Sequence, residues 1–532
     1  MTHYDAVIVG SGFGGSVSAL RLVEKGYKVL VLEKGKRFAP EDFPKTNWDL
    51  RRWLWMPKAG MHGIFKMTFF QHVTIFSGVG VGGGSLVYAN TLPVPKKEFF
   101  QSGSWAGLRD WESELGPHYV TAKRMLGAAR NPRLGKGDEV LKEIAAEMGR
   151  EKDFSATDVA VYFGPPGKKH ADPYFDGKGP ERTGCTFCGA CMTGCRVGAK
   201  NTLDKNYLYL AEKLGLDLIA ETEVTAVRPR ERGGYAVEAQ SGLGLRKTPK
   251  TFTADKVFFA GGVLGTVDLL LKMKADPDGL PKLSPRTGEM IRTNSESLIA
   301  VITERRDVDL SKGVAIGSIL HTDEHSHLEV CRYGTGSGFF RLLIAPHAPG
   351  ENVFQRLGRA AGAVMKSPLR TLRASLVPDL AKFSQILLYM RSLDGTLSFR
   401  RKRDVRTGFA EGLVSELEPG ATPPAAFIPE ATALADRYAE KLDGVTANMV
   451  TETLQGIPST AHILGGACIG RSASEGVIDD RHEVFGYPGL FVVDGASVSA
   501  NPGVNPSLSI TALAERALSL VPDKAGVSAR SS

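Results

Sequence analysis

Residues 5–9 (DAVIV) are a short apolar run that ends directly on Gly10-Ser11-Gly12-Phe13-Gly14-Gly15, and a helix-like stretch, SVSALRLVEKG, follows. A second apolar run at 27–32 (YKVLVL) stops on Glu33. Nothing else in the chain narrows the fold as far. In a βαβ unit that binds a dinucleotide, Gly10 makes the tight turn out of the strand, Gly12 lets backbone approach a pyrophosphate, and Gly15 brings helix against strand. The helix N-terminus offers free N–H groups and a positive dipole end to the phosphates. Glu33 stands about 20 residues on, where a carboxylate can accept both ribose hydroxyls. Strand, glycines, helix, second strand and acid occur in order, so the segment is read as a complete dinucleotide-binding unit. That unit alone does not separate NAD from FAD. A second glycine block at 78–90 (GVGVGGGSLVYAN), with Gly78, Gly83, Gly84 and Asn90, suits close backbone contact with a large flat ligand. The apolar residues threaded through it argue against a flexible hinge.

With 532 residues, two or more lobes are expected. Apolar residues at 42% and charged residues at 23% describe a globular chain. The net charge of +8 permits an anionic partner. No Arg/Lys run interleaved with aromatics is present to track a nucleic-acid backbone, so nucleic acid is excluded as a partner. The first residues lead straight into a strand, with no charged leader or apolar signal core. No apolar run reaches the ~18 residues of a transmembrane helix, so a cytoplasmic protein is expected, touching membranes only from outside.

Five ordered blocks together resemble the glucose–methanol–choline (GMC) flavoprotein oxidoreductases, and within them the cholesterol-oxidase-like branch. They are the N-terminal GSGFGG, the 78–90 block, 257–271 (VFFAGGVLGTVDLLL), 459–470 (STAHILGGACIG) and 490–516 (LFVVDGASVSANPGVNPSLSITALAER). The resemblance implies an α/β fold with a Rossmann-like FAD-binding domain assembled from discontinuous segments, and a substrate domain built on an antiparallel sheet. The expected FAD domain takes 1–95, 196–290 and 458–522; a cap region takes 96–195, the substrate domain 291–457, and 523–532 form a disordered tail. Carried over by position, Gly10, Gly12, Gly15 and Glu33 would hold the ADP half of FAD, and the 78–90 block would lie along the flavin. Val224 would meet adenine through its backbone, Asp494 and Gly495 would reach the pyrophosphate or ribityl chain, and Pro506 and Ser507 would touch the isoalloxazine.

Alcohol oxidation needs a hydride acceptor and a group that takes the hydroxyl proton. Imidazole can do the latter near neutral pH, and His462 is the candidate. A histidine in an apolar stretch is more often structural; the flanking HxLGG pattern and the resemblance give it an active-site role. Asn505 resembles the family's second active-site position, where an amide can hold the substrate oxygen but cannot titrate. The sterol branch also isomerises a ring double bond with a carboxylate. Glu329 is the best acid in the substrate domain for that task, the alternative being a salt-bridged or surface glutamate.

Cys185, Cys188, Cys191 and Cys195 have C-x2-C-x2-C-x3-C spacing, that of the bacterial ferredoxin run. A [4Fe-4S] cluster is expected, held by all four or completed by Cys331 or Cys468; zinc and free thiols are the alternatives. A cluster near flavin would pass electrons to a protein or quinone acceptor and make the enzyme a dehydrogenase rather than an oxidase. Residues 354–376 place Arg356, Arg359, Lys366, Arg370 and Arg373 at helical spacing, with Leu357, Val364, Leu369, Leu372 and Leu376 opposite, and Pro368 divides the stretch into two short helices. The plain reading is an amphipathic surface segment packed on its apolar side. The functional one is a lid or membrane-surface contact admitting a lipophilic substrate. The leading expectation is oxidation of a secondary hydroxyl on a hydrophobic, sterol-like molecule. Rivals are a dehydrogenase of smaller cyclic or terpenoid alcohols and an electron-transfer flavoprotein subunit.

Overall fold

A computed structural model describes residues 2–525 other than 245, 394 and 419. The expected tail therefore lies outside the described residues from 526 onward. Lys524 still reaches back to the first strand, with Nζ 2.6 Å from Asp5.

In chain order, β1 (Thr2–Val9), α1 (Phe13–Glu24) and β2 (Val29–Leu32) come first. The hairpin β3 (Phe65–Phe69) and β4 (Thr74–Gly78), the helix α2 (Lys136–Glu147) and β5 (Phe154–Ala156) follow. Next are β6 (Asp217–Ile219), β7 (Thr222–Pro229), β8 (Tyr235–Ser241), β9 (Thr248–Phe259) and α3 (Gly262–Ala275). Then come β10 (Ser297–Thr303), β11 (Ile316–His321), β12 (Ser326–Cys331), β13 (Ile344–Pro346), α4 (Val353–Lys366), α5 (Pro368–Ser375) and β14 (Ser384–Arg391). The last are α6 (Pro429–Leu442), β15 (Gly444–Met449), β16 (Ser459–Thr460), β17 (Leu490–Val492) and α7 (Ser507–Ser519).

Two seven-stranded sheets organise these elements. The first runs β6-β2-β1-β9-β8-β7, with β17 beside the end of β9. Its centre is parallel, β1 pairing β2 on one side and β9 on the other. Ala6, Val7 and Ile8 are fully buried, as a parallel strand covered on both faces requires. Helices α1 and α7 share its hydrophobic core. The sheet thus draws on sequence more than 450 residues apart.

The second sheet runs β13-β15-β10-β14-β12-β11-β5, and every pairing is antiparallel. Strand alternation gives it two faces. Ile299, Val301, Leu328, Val330 and Tyr389 pack against α2 and α6. Leu298, Ala300, Cys331, Ile386 and Leu388 point the other way, into a cavity of ≈ 760 Å³ that this face shares with the ends of the parallel strands. The small sheet β16-β4-β3 joins the two halves beside that cavity.

Candidate active site

At the polar end of the cavity the fingerprint turn has the geometry its glycines demand. Gly10 has φ +100°, and a Cβ there would lie 2.4 Å from the Ala260 carbonyl oxygen. A Cβ on Gly15 would lie 2.2 Å from the Gly10 carbonyl oxygen, so helix and strand touch through bare backbone. Gly12 differs: the nearest atom to a Cβ there is 3.9 Å away, and the residue lines the cavity at the N-cap of α1. Its open side is therefore ligand space. The 78–90 block lies against this turn, Gly83 so closely that a Cβ would be 2.7 Å from the Gly12 Cα. Glu33 is buried at the end of β2. It accepts from Ser11 N (3.1 Å), Ser11 Oγ (2.8 Å) and Gly35 N (2.8 Å), which fixes the carboxylate at the cavity wall.

Further along, Val224 lines the cavity next to a bulge in β7, where the pairing with β8 shifts between Val224 and Ala226 and frees backbone groups. Asp494 caps a short turn and accepts from Thr266 Oγ1 (2.5 Å) and Ala496 N (2.9 Å). Burial raises its pKa to about 6. Gly495 lines the cavity beside it, and Pro506 and Ser507 bring the N-terminus of α7 to the same wall. Asn90 is fully buried with neither amide atom partnered inside the protein, although it lines the cavity. An elongated space with two helix N-termini, a ribose-type carboxylate and an orphaned amide fits a flavin dinucleotide, since buried polar atoms are normally satisfied.

His462, Asn505 and Glu329, from three distant stretches of chain, meet at the junction of the polar and apolar ends. His462 follows β16, and its Nδ1 lies 2.5 Å from Glu296 Oε2. The other oxygen of Glu296 accepts from Ala461 N at 2.5 Å. Asn505 lies between the other two groups, with one amide atom 3.5 Å from His462 Nε2. Turned so that its nitrogen faces Glu329, it donates to Oε1 at 2.9 Å and Oε2 at 3.1 Å. Glu329, in the middle of β12, is completely buried. Burial, reinforced by the nearby charge of Glu296, pushes its pKa up to about 8. It is therefore no surface glutamate.

The sequence reading had not singled out Glu296. It sits 166 residues from His462 in an undistinguished Asn-Ser-Glu-Ser stretch, and no local pattern links the two. Also unforeseen is His327, fully buried two residues before Glu329 on the same strand face, with Nε2 3.8 Å from Glu329 Oε1.

The iron–sulfur expectation is overturned. Among the described residues no group of three or more His, Cys, Asp or Glu side chains could hold a metal ion. Cys185 and Cys191 are buried, Cys195 is partly so, and Cys188 is exposed. Cys185 and Cys195 pack among Val159, Val161, Val314 and Phe187 as small apolar side chains. Burial pushes the Cys185 thiol to about 12 and that of Cys191 to about 11. Cys188 forms a backbone bridge with Gly313. The remote candidates are engaged elsewhere: the Cys331 thiol faces Met192 Sδ at 3.6 Å, and that of Cys468 the Val498 carbonyl at 3.6 Å. The spacing resembles a ferredoxin run, but the described side chains do not assemble into a metal-holding group.

Comparison with known proteins agrees with this architecture. Family profiles described as GMC oxidoreductase match residues 174–274 and 409–514, and one described as an NAD(P)-binding Rossmann-like domain matches 8–73. A cholesterol oxidase of Acinetobacter baumannii is 44% identical over 531 residues, covering 98% of this chain and 95% of the relative. A cholesterol oxidase of Mycobacterium tuberculosis (strain ATCC 25618 / H37Rv) is 46% identical over 534 residues, covering 98% and 91%. Among solved structures, pyridoxine 4-oxidase from Mesorbium loti superposes with a TM-score of 0.60 over 97% of this chain and 98% of that one. At 14% identity it bears on the fold alone.

Proposed function

This chain belongs to the GMC oxidoreductase family, and on that premise we propose that it oxidises a secondary hydroxyl on a hydrophobic, sterol-like alcohol. One observation carries the reading: the apolar end of the cavity, walled by Leu298, Ile316, Ile386, Leu388 and Met449, terminates on His462 and Asn505, with Glu329 buried behind Asn505. A large apolar body fits that wall, with its hydroxyl at the polar cluster. The names of the two full-length relatives support a sterol.

In this proposal FAD is held at its ADP half by Gly10, Gly12, Gly15 and Glu33, at adenine by the Val224 backbone, and at the pyrophosphate or ribityl chain by Asp494 and Gly495. Gly78, Gly83, Gly84, Asn90, Pro506 and Ser507 line the flavin. When bound there, FAD would supply the hydride acceptor and the electron exit to an external acceptor. His462 accepts the hydroxyl proton at Nε2. Glu296 holds Nδ1–H and so leaves the Nε2 lone pair facing the substrate. Asn505 orients the substrate oxygen without titrating. Glu329, whose carboxyl keeps its proton at neutral pH, is suited to moving a proton between carbons of the product ring. The two full-length relatives are named oxidases, and molecular oxygen is the proposed acceptor. Six cysteines without a disulfide suit a reducing compartment, and the proposed location is the cytoplasm.

Anaerobic mixing of the holoenzyme with a 3β-hydroxysterol tests the reaction. The flavin absorbance should bleach, and readmitted air should restore it with one hydrogen peroxide per sterol oxidised. No bleaching by sterols or any other alcohol would sink the proposal. Bleaching reversed by a dye or quinone but not by air would leave the alcohol chemistry and remove oxygen as acceptor.

A further inference from the structure

Helices α4 and α5 are built inside out. Pro368 separates them, at the first turn of α5. The apolar face would ordinarily turn inward; here it does not. In α4 the single buried side chain is Arg356, 6% exposed, whose guanidinium donates to the carbonyls of Thr453 (2.9 Å), Gly350 (3.0 Å) and Leu454 (3.3 Å). The arginine fastens the helix to the body and leaves the apolar residues outside. Phe354 is 82% exposed, Met365 74%, Leu369 66% and Leu376 69%. Leu357 and Leu372 stand exposed among them. Contiguous exposed apolar surface of this kind on a protein marks a binding face.

Charge identifies the occupant. Residues 352–378 contain no aspartate or glutamate and five cations. Of the four beside the apolar face, Arg370 and Arg373 also face Asp443 (2.5 Å) and Glu304 (3.6 Å) at the body, so Arg359 and Lys366 carry most of the charge offered outward. An apolar stripe bordered by Arg and Lys is the pattern of a helix lying in the plane of an anionic lipid surface. The footing of the pair points the same way. Ala374 and Val377 pack with Ile344, Leu380 and Ala447, and these last three also line the cavity. The pair thus stands on the outer side of the wall of the apolar chamber.

We infer that α4 and α5 seat the protein on an anionic phospholipid bilayer, apolar face down, with the wall of the substrate chamber against the lipid. Binding to lipid stands without the substrate assignment. Delivery of a bilayer-dissolved alcohol to the chamber rests on the function proposed above.

Flotation of the full-length holoenzyme with sterol-free vesicles tests the binding. One set is phosphatidylcholine alone, the other phosphatidylcholine with phosphatidylglycerol. The wild type should float with the anionic vesicles and be released by high salt. The variant F354S/L369S/L376S, which alters only exposed side chains outside the cavity, should bind at least ~10-fold more weakly. It should match the wild type in cofactor content, thermal midpoint and turnover of detergent-dispersed sterol, and lose turnover of vesicle-borne sterol. Equal flotation of variant and wild type, or no flotation of either, would overturn the inference. So would a wild-type dimer in solution that the variant abolishes, because a second copy would then cover the face. If anionic vesicles bind but no sterol is turned over in any form, the substrate assignment fails and the lipid contact stands.

Discussion

Glu296 lies on the side of the His462 ring away from Asn505, so its effect on chemistry runs through the ring and not through contact with substrate. Two substitutions separate the roles. His462→Ala should lower kcat by roughly 10²- to 10⁴-fold, the usual range for a lost general base, while the flavin spectrum stays that of the holoenzyme. Near wild-type turnover would remove His462 from the mechanism. Glu296→Gln should lower kcat by about 10- to 100-fold with KM nearly unchanged, because a neutral amide no longer stabilises the protonated ring in the transition state. A change confined to KM would make Glu296 merely structural. Glu329 yields a pH prediction. Its carboxyl titrates near 8 in the folded protein and at an ordinary 4.5 when unfolded. Between those values the folded state binds the extra proton, so this group withdraws stability as pH rises from about 4.5 through 8. Glu329→Gln should therefore gain thermal stability relative to the wild type at pH 9 and not at pH 4. The same variant should oxidise sterol and fail to isomerise the product. A stability difference independent of pH would show that the carboxyl titrates normally.

At the level of elements, Gly12 and Gly15 differ in a way the motif does not reveal. Both belong to one fingerprint, yet a Cβ on Gly15 collides with backbone and a Cβ on Gly12 meets only cavity space. Gly15→Ala should destabilise the fold by about 1–3 kcal/mol, as overpacking does. Gly12→Ala should fold normally and bind FAD more weakly, measured by thermal midpoint and cofactor content. The cysteine run teaches the opposite lesson. Its spacing is that of a cluster loop, but spacing along the chain does not by itself make a metal site, and the described side chains form none. Cys188→Ser should leave turnover and the absorption spectrum unchanged. In 354–376 the helical periodicity and the break at Pro368 were both legible. Which face turned outward was not, because burial of Arg356 depends on three carbonyls from other segments.

Across the whole molecule, the cavity is bounded by both sheets and by segments from the first strand to the last helix, so cofactor and fold are coupled. Removing FAD should lower the thermal midpoint, since a ligand at about 100 times its Kd adds about 2.7 kcal/mol; an unchanged midpoint would place the cofactor outside this cavity. The parallel unit around Gly10, Gly12, Gly15 and Glu33, and the membership implied by five ordered blocks, were determined by sequence alone. Local rules suffice there: a tight turn needs glycine, a buried strand needs apolar side chains, and a ribose needs a nearby acid. Tertiary structure alone decided the rest. It brought Glu296 to His462 and Glu329 to Asn505, kept the four thiols from forming a metal site, and turned the apolar face of α4 and α5 outward. Each of these outcomes depends on which distant segment arrives next to a residue, and the cost of burying a charge or an unpaired polar atom is set by that neighbour rather than by spacing along the chain.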